Sequence, residues 1–253
     1  MSGKGSGVER VALVTGASTG IGRAIAERLQ AEGLALGFHS HKDGGSDREA
    51  FEEAVARGRA AWVVGDVTEP GVPERLVTET VEALGRLDVL VNNAGVTLSA
   101  PALESSADDF DRVFGVNVRG PFLLAIAAAA QMREQGAGGT VVNVTSVHEH
   151  VPRRGFALYA SSKAALGMLT RSLALELAPE IRVNAVAPGA IATERNEEAD
   201  ALDSQIPVQR PGTPAEVAAA VSWLASEDAA YVSGASLLVD GAMAQQVVES
   251  SPA

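Results

Sequence analysis

Short, mostly apolar runs alternate along the chain with longer segments whose apolar residues recur every three or four positions. The short runs are Val11–Thr15, Leu34–His39, Ala61–Asp66, Val89–Asn92, Val141–Val144, Ile181–Val186 and Ser236–Val239. A strand covered on both faces carries apolar residues on both, so these runs predict buried strands rather than half-exposed ones. The longer segments predict helices at about Ile21–Glu32, Asp47–Arg57, Glu74–Leu84, Phe110–Gln135, Leu158–Ala178 and Ala215–Ala225. The fourth is expected to break or bend near Gly120-Pro121, because a proline removes a helical donor and crowds the turn before it. Strand–helix alternation of this kind predicts an α/β fold with a parallel sheet and helices on both faces. There is no tandem repeat, low-complexity block or domain boundary, so residues 1–253 read as one domain. Residues 1–7 read as a flexible leader. The polar, acidic stretch Glu194–Gln205 lacks an apolar face, and about 190–210 is expected to be a mobile lid over substrate.

Where the first strand turns into the first helix stands Thr15-Gly16-Ala17-Ser18-Thr19-Gly20-Ile21-Gly22. Glycines there allow a tight turn and close backbone approach, and a helix N-terminus offers free N–H groups to a pyrophosphate. About twenty residues on, an NAD site carries an Asp or Glu against the ribose hydroxyls. Here the second strand ends Gly37-Phe38-His39-Ser40-His41-Lys42, with no carboxylate until Asp43. His39, Ser40 and the following basic residues would accept a 2′-phosphate, so the sequence points to NADP, with NAD as the alternative. On the same reading, Phe38→Asp is expected to shift preference toward NAD.

Tyr159 and Lys163 stand four apart, and Ser146 follows the fifth apolar run. On a helix, positions i and i+4 share a face. An ammonium beside a phenol favours the phenolate and lowers the phenol from its usual pKa of about 10. A serine at a strand end lies where open α/β sheets bind ligands, and its hydroxyl can hold a substrate oxygen.

Composition removes competing chemistries. A net charge of −12 argues against nucleic acid and anionic membrane surfaces. The absence of cysteine excludes disulfides and thiolate catalysis. The four histidines form no metal-spaced cluster. No signal-like or membrane-length apolar run is evident, so the chain reads as cytoplasmic.

These motifs, in this order, resemble the short-chain dehydrogenase/reductase family over nearly the whole chain. The resemblance implies a single-domain, Rossmann-type doubly wound sheet. It assigns Asp66-Val67 to the adenine, the Asn92-Asn93-Ala94-Gly95 motif to the cofactor side of strand four, and Pro188-Gly189 with Ile191 and Thr193 to the nicotinamide side. It makes Asn117, Ser146, Tyr159 and Lys163 the catalytic set. Tyr159 would exchange the proton, Lys163 would lower its pKa and bind the nicotinamide ribose, Ser146 would position the substrate oxygen, and Asn117 would hold a water-linked proton path to Lys163. Ser146-Val147-His148-Glu149 and Asn196 are most similar to the bacterial glucose dehydrogenases, with His148, Glu149 and Asn196 as sugar contacts. The oxoacyl-carrier-protein reductases share the catalytic set and remain the alternative, and Arg153-Arg154 would suit an anionic carrier. A dinucleotide-binding sensor without useful catalysis is the other class, although no catalytic residue is lost. The family usually forms homotetramers, and Leu166, Leu169, Leu173 and Leu177 mark an apolar stripe on the Tyr-bearing helix.

Overall fold

The structure is a computed structural model that describes residues 9–42, 51–194 and 206–245. The leader, the start of the helix expected from Asp47 and most of the lid segment, including Asn196, lie outside the described residues.

Seven strands form one parallel sheet in the order β3-β2-β1-β4-β5-β6-β7. They are β1 Val11–Val14, β2 Ala35–Ser40, β3 Ala60–Val64, β4 Val89–Asn92, β5 Gly139–Val144, β6 Ile181–Pro188 and β7 Ser236–Val239. All seven apolar runs therefore become strands, and every pairing is parallel. The helices are α1 Gly20–Ala31, α2 Glu52–Ala56, α3 Val72–Leu84, α4 Ala107–Phe114, α5 Gly120–Glu134, α6 Ala157–Glu176 and α7 Pro214–Ala225. One core layer joins Val14, Ile25, Leu29, Leu36, Phe38, Val217 and Leu224 beneath α1, α2 and α7. The opposite layer joins Leu13, Leu76, Leu90, Leu124, Met132, Val141 and Leu173 beneath α3, α5 and α6. The sheet is covered on both faces, as its unbroken apolar runs require.

The long helical pattern is interrupted earlier than expected. Gly115–Arg119 forms a π turn between α4 and α5, while Gly120 and Pro121 open α5. A proline in a first turn loses no bond the helix needs, so it marks the restart and the irregularity falls before it. Ala107–Glu134 is long and apolar enough by composition to cross a membrane. Leu124, Ala125, Ala128, Ala129 and Met132 are instead buried against the sheet. Within α6 the expected stripe is mostly core: Leu166, Leu173 and Leu177 are buried, whereas Met168 and Leu175 face outward.

Strand order reverses between β1 and β4, and such a reversal leaves a crevice beyond the carboxyl ends of the strands.

Candidate active site

A cleft of about 770 Å³ opens at this switch point. Its wall includes Gly16, Ser18, Thr19, Gly20, Ile21 and Gly22, together with Asp66, Val67, Asn93, Ala94, Gly95 and Thr193. The glycine turn is fixed from both neighbouring strands. Thr15 Oγ1 accepts the N–H groups of Asn93 and Ala94 at 2.9 and 3.0 Å, and Asn93 Nδ2 donates to the carbonyls of Thr15 and Gly16 at 2.9 and 3.1 Å. At Gly22 a Cβ would stand 2.1 Å from the Gly16 carbonyl oxygen, so only glycine lets α1 start this close to the turn. The N-cap Thr19 makes no side-chain cap bond. The first N–H groups of α1 therefore face the cleft without a side-chain acceptor, which is what a pyrophosphate needs.

The ribose end departs from the expected roles. His39 is buried, its Nδ1 accepting the Gly16 N–H at 3.2 Å and its Nε2 facing the Gly65 carbonyl at 2.9 Å. Desolvation holds its pKa below that of an ordinary imidazole, so it is a neutral brace between the glycine turn and β3 and not an attractor of phosphate. Ser40 is buried, bonds the Lys42 carbonyl and forms no part of the cleft wall. Phe38 lies on the opposite side of the pleat from His39 and stacks on Phe51 with ring centroids 3.8 Å apart. A carboxylate at position 38 would enter the core, which overturns the Phe38→Asp expectation. His39 and the exposed His41 both line the cleft, with His41 Nδ1 3.7 Å from Asp66 Oδ2. Burial alone would raise the Asp66 carboxyl, but the N–H and hydroxyl of Thr68, at 2.8 and 2.7 Å, outweigh it and hold the pKa below the usual value.

Of the nicotinamide-side residues, Thr193 lines the cleft and its Cγ2 would lie 3.5 Å from a Cβ on Gly20. Pro188, Gly189 and Ile191 do not line it. Gly189 is wedged against Asp240, where a Cβ would come within 2.8 Å of backbone, and Ile191 is buried. They shape the segment that carries Thr193.

The residues expected to be catalytic come together beside this cleft. Tyr159 and Lys163 share a face of α6, with the Lys163 Nζ 5.8 Å from the phenol ring centroid. That Nζ donates to the Val144 carbonyl at 2.9 Å. Ser146 caps the short turn Val147–Glu149 by accepting the His148 N–H at 3.2 Å. The Tyr159 phenol has the side chains of Ser146 and Thr97 beside it, and both act to lower its pKa. Thr97 carries no sequence signal beyond following the Asn-Asn-Ala-Gly motif, and it was missed. The ring of His148 meets Tyr159 edge-on at 6.1 Å, and burial holds this imidazole below its usual pKa.

Two electrostatic expectations need correction. Desolvation raises the Tyr159 pKa, only partly offset by the hydroxyls of Ser146 and Thr97. Burial also lowers Lys163 to about 8. The protein alone therefore does not make the phenol acidic. Any further lowering must come from a positive charge brought into the cleft.

Asn117 lies in the π turn and is fully buried. Its Oδ1 accepts the Val96 N–H at 2.9 Å, and its Nδ2 donates to the Val96 carbonyl at 2.9 Å and to Ser162 Oγ at 3.0 Å. The amide is thus a brace for the Val96–Thr97 backbone, with both of its N–H donors engaged. A Cβ placed on Gly95 would sit 3.3 Å from Asn117 Oδ1 and 3.5 Å from Lys163 Nζ, so the cofactor cleft and the catalytic cluster meet there. Glu149 does not join Ser146 and Tyr159. Its carboxylate turns away to Ser236 and Arg171.

The cleft fits a nicotinamide dinucleotide: it has an uncapped helix N-terminus, a glycine that backbone contact requires, and a polar ribose end. Bound there, the dinucleotide would exchange a hydride with substrate. The chain's own part would then be to hold the substrate oxygen against Ser146 and Tyr159 and to move its proton to or from the Tyr159 oxygen.

Known proteins are similar to this chain over nearly its whole length. Residues 16–244 match the family described as Enoyl-(Acyl carrier protein) reductase. Glucose 1-dehydrogenase 2 of Bacillus subtilis (strain 168) is 42% identical over 243 residues, covering 92% of this chain and 94% of that protein. The crystal structure of acetoin dehydrogenase from Enterobacter cloacae matches with a TM-score of 0.89 at 41% identity, covering 98% of this chain and 100% of the other. A gluconate 5-dehydrogenase from Burkholderia cenocepacia J2315, in complex with NADP and tartrate, matches with a TM-score of 0.87 at 32% identity over 94% of this chain and 96% of its own. With a glycine turn at the β1–β4 crevice and a Ser-Tyr-Lys cluster beside it, the chain belongs to the short-chain dehydrogenase/reductase family of oxidoreductases.

Proposed function

We propose that this protein is an NADP-preferring dehydrogenase of a small, polyhydroxylated or hydroxyketone substrate, with glucose or another aldose oxidised at C1 as the leading candidate. The observation that carries the reading is the setting of Tyr159: its phenol sits between the hydroxyls of Ser146 and Thr97, with the neutral imidazole of His148 at its edge. Such a group of donors and acceptors suits an oxygen-rich substrate, because each polar group left unpaired on binding costs affinity. The glucose and acetoin dehydrogenases among its relatives support the same class. In the oxidising direction, the Tyr159 oxygen takes the substrate hydroxyl proton. The NADP preference rests on His41 and Lys42, exposed at the end of β2 with no carboxylate from that strand beside them.

A 3-oxoacyl-thioester reductase is the second reading. Arg153, exposed and lying 4.9 Å over the Phe156 ring at the mouth of the site, favours an anionic carrier. One panel separates them: NADP or NAD reduction with D-glucose, D-gluconate or acetoin, against NADPH oxidation with an acetoacetyl thioester. Turnover in the first arm supports the proposal, and turnover confined to the second replaces it. Dinucleotide binding without turnover in either would make the protein a sensor. We also propose a cytoplasmic homotetramer, in keeping with the exposed Phe122, Ile126, Met168 and Leu175 on α5 and α6. Light scattering giving a monomer mass would reject the assembly.

A further inference from the structure

Glu149 ends the short turn that leaves β5, three residues after Ser146, yet its side chain is only 2% exposed. Its Oε2 accepts from Ser236 Oγ on β7 at 2.9 Å and lies 3.8 Å from His150 Nε2. Its Oε1 lies 3.4 Å from Arg171 Nη1. The carboxylate rests directly over Gly167 of α6, where a Cβ would stand 2.1 Å from Oε1 and 2.3 Å from Cδ. A helix-interior glycine costs up to about 1 kcal/mol relative to alanine, and here its absent side chain is the seat of the carboxylate.

The seat has a particular address. Gly167 is one turn beyond Lys163 on the same face of α6, and Tyr159 is one turn before it. Lys163 is buried and has the Val144 carbonyl as a hydrogen-bond acceptor. Burial lowers its pKa to about 8, and the charge acting against that loss is Glu149. The groups touching Glu149 are Arg171 from α6, His150 from its own turn and the neutral Ser236 from β7, while Lys163 lies one turn along α6 and feels its charge without an ion-pair contact. Arg171 and His150 are half-exposed, so water screens them more than it screens the buried lysine.

We propose that Glu149 is a positioning residue for proton transfer: its buried carboxylate, seated over Gly167, opposes loss of the Lys163 proton and so shifts proton release from the Tyr159–Lys163 pair toward the phenol. The logic is that of a coupled pair. Losing one proton leaves either phenolate with ammonium or phenol with neutral amine, and only the first can accept the proton of a substrate hydroxyl. A fixed negative charge one turn from the lysine and two turns from the tyrosine attracts the ammonium more than it repels the phenolate. It therefore favours the competent form. The inference rests on the dehydrogenase chemistry of the family but on no particular substrate.

The chain has three lysines, Lys4, Lys42 and Lys163, so NMR of protein with isotope-labelled lysine Cε can follow Lys163 alone, assigned with K163M. E149Q is expected to lower the Lys163 midpoint by about one pH unit or more, a tenfold change in its ionisation constant, while E149D, which keeps the charge, stays close to wild type. An unchanged midpoint in E149Q with native far-UV circular dichroism overturns the proposal. Should E149Q not fold, R171M carries the test. Deleting that cation leaves the carboxylate less compensated and raises the Lys163 midpoint, and an unchanged or lowered midpoint rejects the idea. The titration needs no turnover, so a wrong substrate assignment leaves it readable.

Discussion

Replacing Asn117 by alanine removes three hydrogen bonds from a residue with no exposed surface. Ser162 Oγ keeps its bond to the Tyr159 carbonyl at 2.7 Å, so the groups left unpaired are the N–H and carbonyl of Val96. An unsatisfied buried group costs about 1–3 kcal/mol. Val96 is partly exposed, which lets water recover some of that, and the expected loss is roughly 2–4 kcal/mol of the 5–15 typical of a domain. At roughly 2–4 °C per kcal/mol for a chain of this size, Tm should fall by roughly 5–15 °C. Turnover measured well below that Tm should fall less than it does in Y159F, because the damage reaches chemistry only through a loosened Thr97. Differential scanning calorimetry beside steady-state kinetics checks both. A Tm within about 2 °C of wild type, a change worth no more than about 1 kcal/mol, combined with turnover as low as in Y159F, would refute the brace and make the amide a direct participant in proton transfer.

Other outcomes follow from the same geometry. H41D places a carboxylate where His41 meets the cleft, and should raise KM for NADP while leaving or lowering KM for NAD; an unchanged cofactor ratio would remove His41 from recognition. K163M should be inactive yet more stable at neutral pH. The lysine titrates near 8 in the fold and near 10.5 unfolded, so its penalty is complete below about 8 and fades as pH rises to 10.5. The Tm advantage of K163M should shrink across that window, and an advantage flat from pH 7 to 10.5 contradicts the assignment.

Strand positions were legible because each strand is covered on both faces and reads as an apolar run. Tyr159, Lys163 and Ser146 were legible because one helix and one strand end fix them locally. What the sequence hid depends on direction. The end of β2 sends Phe38 into the core and His39 and His41 toward the cleft, and the polar run His39–Lys42 does not announce which of them faces the ligand. Glu149 looks like a substrate contact because it follows Ser146, but Gly167, eighteen residues on, leaves the space on α6 where its carboxylate rests. Asn117 keeps helical spacing in the sequence, and only the π turn reveals its grip on Val96. Thr97 reaches the phenol because that grip holds it there.

The central claim, that Tyr159 moves the proton in an NADP-linked oxidation, is tested most directly by comparing wild type with Y159F. The assay is NADP reduction with D-glucose and with acetoin, with NADP binding measured for both proteins. The account predicts wild-type turnover and a fall of about 10²–10⁴-fold in kcat for Y159F at unchanged NADP affinity. A Y159F enzyme that keeps most of its activity would contradict it.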